Sequence, residues 1–141
     1  MSKAPDYVNP ADWPPPRGYN NGVAYDVSAA TRLVFLAGQV GWDRTQRLVS
    51  DRFEEQFDQA LANLLATVAA SGGEPASIGK LTIYVTDTAE YMQARKAIGE
   101  RYRRRMHGHY PAMALVEVKA LLEPGAKVEI EGIACIEAPP R

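Results

Sequence analysis

The run Leu81-Thr82-Ile83-Tyr84-Val85-Thr86-Asp87-Thr88-Ala89-Glu90 contains the change of period on which the fold class turns. Its first six residues are rich in the β-branched and aromatic types that suit a pleated surface, so a strand is predicted over Leu81 to Thr86. Asp87-Thr88-Ala89-Glu90 then sets a capping oxygen three residues ahead of a glutamate, the pattern of a helix start. Tyr91, Ala94, Ile98 and Tyr102 follow at helical spacing, and this helix should end near His107-Gly108.

Upstream, Asp51-Arg52-Phe53-Glu54 has the same box spacing, and Phe53, Phe57, Leu61, Leu64, Leu65 and Val68 keep a 3.6-residue rhythm as far as Gly72-Gly73. Before that helix, Val23 to Val27 and Arg32 to Gln39 read as strands. The second places Leu33, Phe35 and Ala37 on one face and Val34 and Leu36 on the other. Arg17-Gly18-Tyr19-Asn20-Asn21-Gly22 is a loop with an aromatic in its middle. Residues 1–17, with Pro5, Pro10, Pro14, Pro15 and Pro16, form an extended arm, since proline neither continues a helix nor pairs in a central strand. Downstream of Pro111, Ala112 to Lys119 and Lys127 to Ile136 are expected to close the sheet as an antiparallel pair around the Glu123-Pro124-Gly125 turn.

The order is strand, strand, helix, strand, helix, strand, strand in a chain of 141 residues, which is one α+β domain. Two helices cover one face of such a sheet. Met113, Ala114, Leu115, Val116 and Val118 nevertheless put apolar groups on both sides of a strand, and each buried apolar side chain is worth about 1.5–3 kcal/mol. A homo-oligomer covering the second face is expected.

Sixteen basic residues against seventeen acidic ones leave a net charge of -1, so no global field draws nucleic acid or an anionic membrane. The longest apolar runs, Leu33 to Ala37 and Tyr110 to Val116, are too short to span a bilayer, and the N-terminus lacks signal-peptide order. The single cysteine, Cys135, excludes a disulfide scaffold and suits a reducing, cytoplasmic setting. Gly-rich phosphate loops, cysteine pairs and GxSxG elbows are absent.

Each remaining polar cluster has two readings. His107-Gly108-His109 offers two imidazoles without a third ligand nearby, so no metal is assigned and a helix terminus is the simpler account. Arg101, Arg103, Arg104 and Arg105 could contact phosphate, but cations at a helix C-terminus also oppose its dipole. Glu129 and Glu131 share one side of the last strand, with Glu117 expected on the neighbouring one. They serve either as a proton-transferring carboxylate in a dry cleft or as partners of Lys119 and Lys127. Tyr19 either closes over a ligand or packs on the proline arm.

Leu33-Val34-Phe35-Leu36-Ala37-Gly38-Gln39-Val40, Gln56 to Asn63, Leu81 to Asp87, Tyr110-Pro111-Ala112 and Val116-Glu117-Val118, together with Val128-Glu129-Ile130-Glu131-Gly132-Ile133-Ala134, resemble the RidA/YjgF family over most of the chain. The resemblance implies a chorismate-mutase-like α+β domain over residues 18–141, with a mixed sheet, two helices on one face, a homotrimer and small-molecule clefts between subunits. It also implies cofactor-independent hydrolysis of reactive enamines and imines to 2-oxo acids and ammonia. In that family an arginine after Pro-Ala grips the substrate carboxylate, and here Met113 stands in its place. A thioether cannot bind a carboxylate. Glu129 matches the family's glutamate, and Tyr19 the loop tyrosine that lines the cleft from a neighbouring subunit.

Lys96 matches a position bordering the cleft, and it, Arg95 or Arg32 is the expected substitute cation. The implied protein binds a small organic molecule in a cleft made by Met113 and Glu129 of one chain and Tyr19 of another. It is either a divergent deaminase with Glu129 as acid/base or a non-catalytic metabolite- or partner-binding trimer. RNA cleavage, the remaining family activity, has only the arginine cluster in its favour.

Overall fold

A computed structural model describes residues 4–137. The first three residues of the expected arm and residues 138–141 of the expected domain lie outside the described residues. The elements are β1 (Asp6–Val8), β2 (Gly22–Ala24), β3 (Thr31–Val40), α1 (Phe53–Ala70), β4 (Ile78–Val85), α2 (Thr88–Met106), β5 (Ala112–Glu117) and β6 (Val128–Glu137), with a 3-10 turn at Pro75–Ser77. The change of period after Thr86 is realised: Asp87 Oδ1 accepts from the N–H groups of Ala89 at 2.8 Å and Glu90 at 3.3 Å, starting α2. His107, in the left-handed region at φ 51°, ends it.

The main sheet runs β3-β6-β4-β5. β4 and β5 are parallel with α2 as their crossover, and β6 is antiparallel to both its neighbours. This corrects the expected pairing of the last two strands, since β4 lies between them. Residues 118–127 give the chain length to step past β4. Gly132 lets β6 lie close against it, because a Cβ there would stand 2.6 Å from the Lys80 carbonyl oxygen. β2 is shorter than Val23 to Val27 and pairs only with β1. Pro5 and Pro10 bound β1 and have no N–H to extend that ladder.

Both helices lie on one face of the sheet, as expected. α1 buries Phe53, Phe57, Ala60, Leu61, Leu64 and Val68 against it. Its start differs from the expected box. Arg52 occupies the cap position without a side-chain bond, and Asp51 does not cap. The start is pinned by Gln56 instead, a wholly buried side chain that donates to Ser50 O (2.9 Å) and Gly125 O (3.1 Å) and accepts from Lys127 N (2.8 Å). Gly41 passes so near that a Cβ there would stand 2.5 Å from Gln56 Cα. Asn63 donates to Val40 O and Trp42 O. Both amides therefore hold loops in place.

β3, β4, β5 and β6 leave the opposite face of the sheet bare. Leu33 and Phe35 on it, at the β3 edge, are 60% and 75% exposed, and Ala114 and Val116 are exposed at the opposite, β5 edge. No helix among the described residues is long and apolar enough to cross a membrane.

Candidate functional site

Val128 and Ile130 are wholly buried toward the helices, so alternation turns Glu129 and Glu131 to the bare face. Tyr84 of β4 donates to Glu131 Oε1 at 2.6 Å, and this bond is the main cause of a tyrosine pKa pushed above its usual value. Glu129 has no such partner among the described residues. Its carboxylate rests on the backbone of Gly38, where any Cβ would overlap Oε1. The third glutamate is not a neighbour: Glu117 stands on β5, beyond β4, and accepts from Thr88 N at 2.9 Å at the start of α2. Lys127 pairs with Glu90 at 3.1 Å, an ion contact without hydrogen-bond alignment.

Tyr19 is placed by the loop that the sequence marks. Gly18 takes φ 75°, and Asn20 bonds the carbonyls of Pro111 (3.1 Å) and Tyr110 (2.5 Å), which anchors the loop beside the start of β5. Tyr19 and Met113 of its own chain thereby line the same two cavities. One, of about 480 Å³, lies between α2 and β5; the other, of about 610 Å³, lies between residues 19–25 and the sheet, reaching from Met113 of β5 past Gly79 and Cys135 to Leu33 of β3. The expected cleft draws Tyr19 and Met113 from different chains, whereas within one protomer the two already border the same cavities. Met113 and Glu129 do not. Met113 is in register with the buried Leu81 and faces the helices, whereas Glu129 is opposite Tyr84 on the bare face and lines neither cavity.

Lys96 is exposed on α2 and lines neither cavity, because each helical residue turns about 100° from the last. Arg95, one step back, does border the smaller cavity, with Arg17 and Arg103. Arg32 is exposed on β3 opposite Ile136 and reaches neither. Of the arginine cluster, Arg105 makes a two-pronged bond to Asp58 of α1 (2.6 and 3.0 Å), holding that carboxyl below its usual pKa, and Arg101 stands 3.5 Å from it.

His109 is buried, with Nε2 donating to Ile78 O at 2.6 Å and Nδ1 accepting the Tyr7 hydroxyl proton at 2.5 Å. Burial lowers its pKa. Among the described residues no three His, Cys, Asp or Glu side chains converge as a metal would require. Sequence reasoning missed Arg17, Gly99 and Arg103 as cavity residues. The signal was present in Tyr91, Arg95, Gly99 and Arg103, which recur every four residues along one stripe of α2.

The family whose description is Endoribonuclease L-PSP matches residues 13–136. Protein DfrA of Myxococcus xanthus is 35% identical over 117 residues, 82% of this chain and 83% of that protein. The human 2-iminobutanoate/2-iminopropanoate deaminase is 29% identical over 134 residues, 94% and 85% of the two chains. Among solved structures, the conserved Rid family protein YyfB of Yersinia pestis, itself described as of unknown function, superposes with a TM-score of 0.79 at 29% identity. That match covers 95% of this chain and all of the other.

Proposed function

Because the chain belongs to the RidA/YjgF family, the one described as Endoribonuclease L-PSP, we propose that it forms a cytoplasmic homotrimer and hydrolyses an imine or enamine in clefts between protomers. Glu129 is the acid/base group in this reading. The observation that carries it is the unpartnered Glu129 carboxylate lying on Gly38, amid apolar surface that a neighbouring copy would cover. Glu129 and Met113 cannot meet within one chain, and this supports a shared cleft: one protomer supplies Glu129 and its neighbour supplies Met113 and Tyr19.

Hydrolysis there needs no cofactor. With the imine nitrogen protonated, Glu129 takes a proton from water as the water oxygen bonds to the C=N carbon, giving a neutral carbinolamine. It then gives that proton to nitrogen and takes the hydroxyl proton in its place as the C–N bond breaks, so ammonia leaves and a carbonyl remains. Met113 offers no charge-assisted bond to a substrate carboxylate, a loss of about 1.5–3 kcal/mol of orientation relative to an arginine. Small 2-imino acids should therefore turn over slowly.

Ammonia release from 2-iminobutanoate generated in situ tests this. The expected rate is at least about tenfold below that of an arginine-bearing relative, as that loss of binding implies, with the remainder abolished in Glu129→Gln. Undiminished turnover in Glu129→Gln would overturn the assignment. The sulfur at Met113 also favours a second reading, a non-catalytic metabolite- or partner-binding trimer. A ligand that raises the melting temperature and is recovered unchanged would select it. With Arg101 and Arg105 engaged by Asp58, the cluster offers less to RNA than its count suggests.

A further inference from the structure

The 480 Å³ cavity between α2 and β5 is within the size range of small-molecule sites. Its charge is one-sided: Arg17, Arg95 and Arg103 border it, no acidic residue does, and none of the three makes an ion pair among the described residues. The guanidinium of Arg103 lies back over Gly99, with Nη1 3.4 Å from where a Cβ would stand. Part of the lining is aromatic and fixed. Tyr102 and Tyr110 stack with ring centres 5.2 Å apart, and the Tyr102 hydroxyl is already committed to His109 O at 3.0 Å. Met113 adds a polarizable thioether that adapts to a ring.

From this arrangement we propose that the cavity binds an organic carboxylate with an aromatic body, its carboxylate held by Arg95 and Arg103 and its ring between Tyr110 and Met113. The inference rests on the reading of Tyr19 and Met113 as ligand-contacting residues. It moves the anionic anchor from β5 to α2, and it makes the bulk of the ligand as important as its charge. Two guanidinium forks satisfy a carboxylate that a thioether cannot.

Isothermal titration of the intact protein with 3-phenylpropionate, 3-phenylpropionamide and propionate tests both requirements. The aryl acid should bind at least about tenfold tighter than either comparison compound, a gap of about 1.4 kcal/mol. Arg95→Gln with Arg103→Gln should erase its advantage over the amide, and the paired lysine substitutions should keep part of it. Equal binding of acid and amide, equal binding of propionate, an unaffected double variant, or no saturable binding of the aryl acid would overturn the proposal. Binding that follows the two arginines without turnover of any imine keeps this inference and removes the hydrolase reading. Glu129-dependent turnover with binding indifferent to the arginines does the reverse.

Discussion

Helix α1 presses seven residues into the core, the amide of Gln56 among them, whereas α2, one residue longer, buries only Ile98, Tyr102 and Met106. Both lie on the same face of the sheet. The difference lies in what the inner surface meets. α1 meets β3 and β6 directly, so its apolar stripe is consumed by packing. α2 stands off from β5 at its Tyr91-Arg95-Gly99-Arg103 stripe and leaves a cavity there. A charged, glycine-bearing stripe on the cavity side of a helix is thus a sign of binding space, and a hydrophobic one of scaffold.

The sharpest way to break that contrast is truncation within α1. Leu64→Ala should cost about 2–5 kcal/mol in urea unfolding, since Leu64 is wholly buried and its neighbours cannot collapse into the gap. A cost near zero would deny α1 its scaffold role.

A smaller effect is expected just past the end of α2, where His109 holds Tyr7 of the arm. Because its folded pKa lies below the ordinary 6.5, the unfolded chain binds the extra proton first. Stability from this group is complete above about pH 6.5 and declines as pH falls through the folded value. Melting temperature should drop on acidification over that window. Tyr7→Phe should cost about 0.5–1.5 kcal/mol at neutral pH. A melting temperature indifferent to pH between 7 and 5 would show that His109 is not held neutral by burial.

The smallest effect has the opposite sign. Gly99→Ala places its Cβ 3.4 Å from only the movable end of Arg103, so it should stabilise the helix by up to about 1 kcal/mol while displacing that guanidinium from the cavity. Destabilisation would mean that the cavity side of α2 is packed as tightly as α1.

Local chemistry was readable along the chain. Asp87 caps as its spacing announces, Gly72 at φ 89° ends α1, and the alternation of β6 puts Glu129 on the side expected for it. Strand order was not readable, because nothing in residues 112–136 distinguishes a hairpin from a strand that passes its neighbour and inserts beyond it. The misplacement of Glu117 beside Glu129 descends from that pairing. Lys96 and Arg95 stay alternatives in the sequence because residues one apart on a helix differ by more than a quarter turn, and only the packed helix shows that Arg95 borders a cavity.

Tyr19 and Met113 belong to both cavities at once and act as a party wall between them. A swing of the unbranched thioether enlarges one chamber at the expense of the other, so substitutions at position 113 trade room across the edge of the sheet. Selection for a bulkier guest on one side would then be read out as crowding on the other.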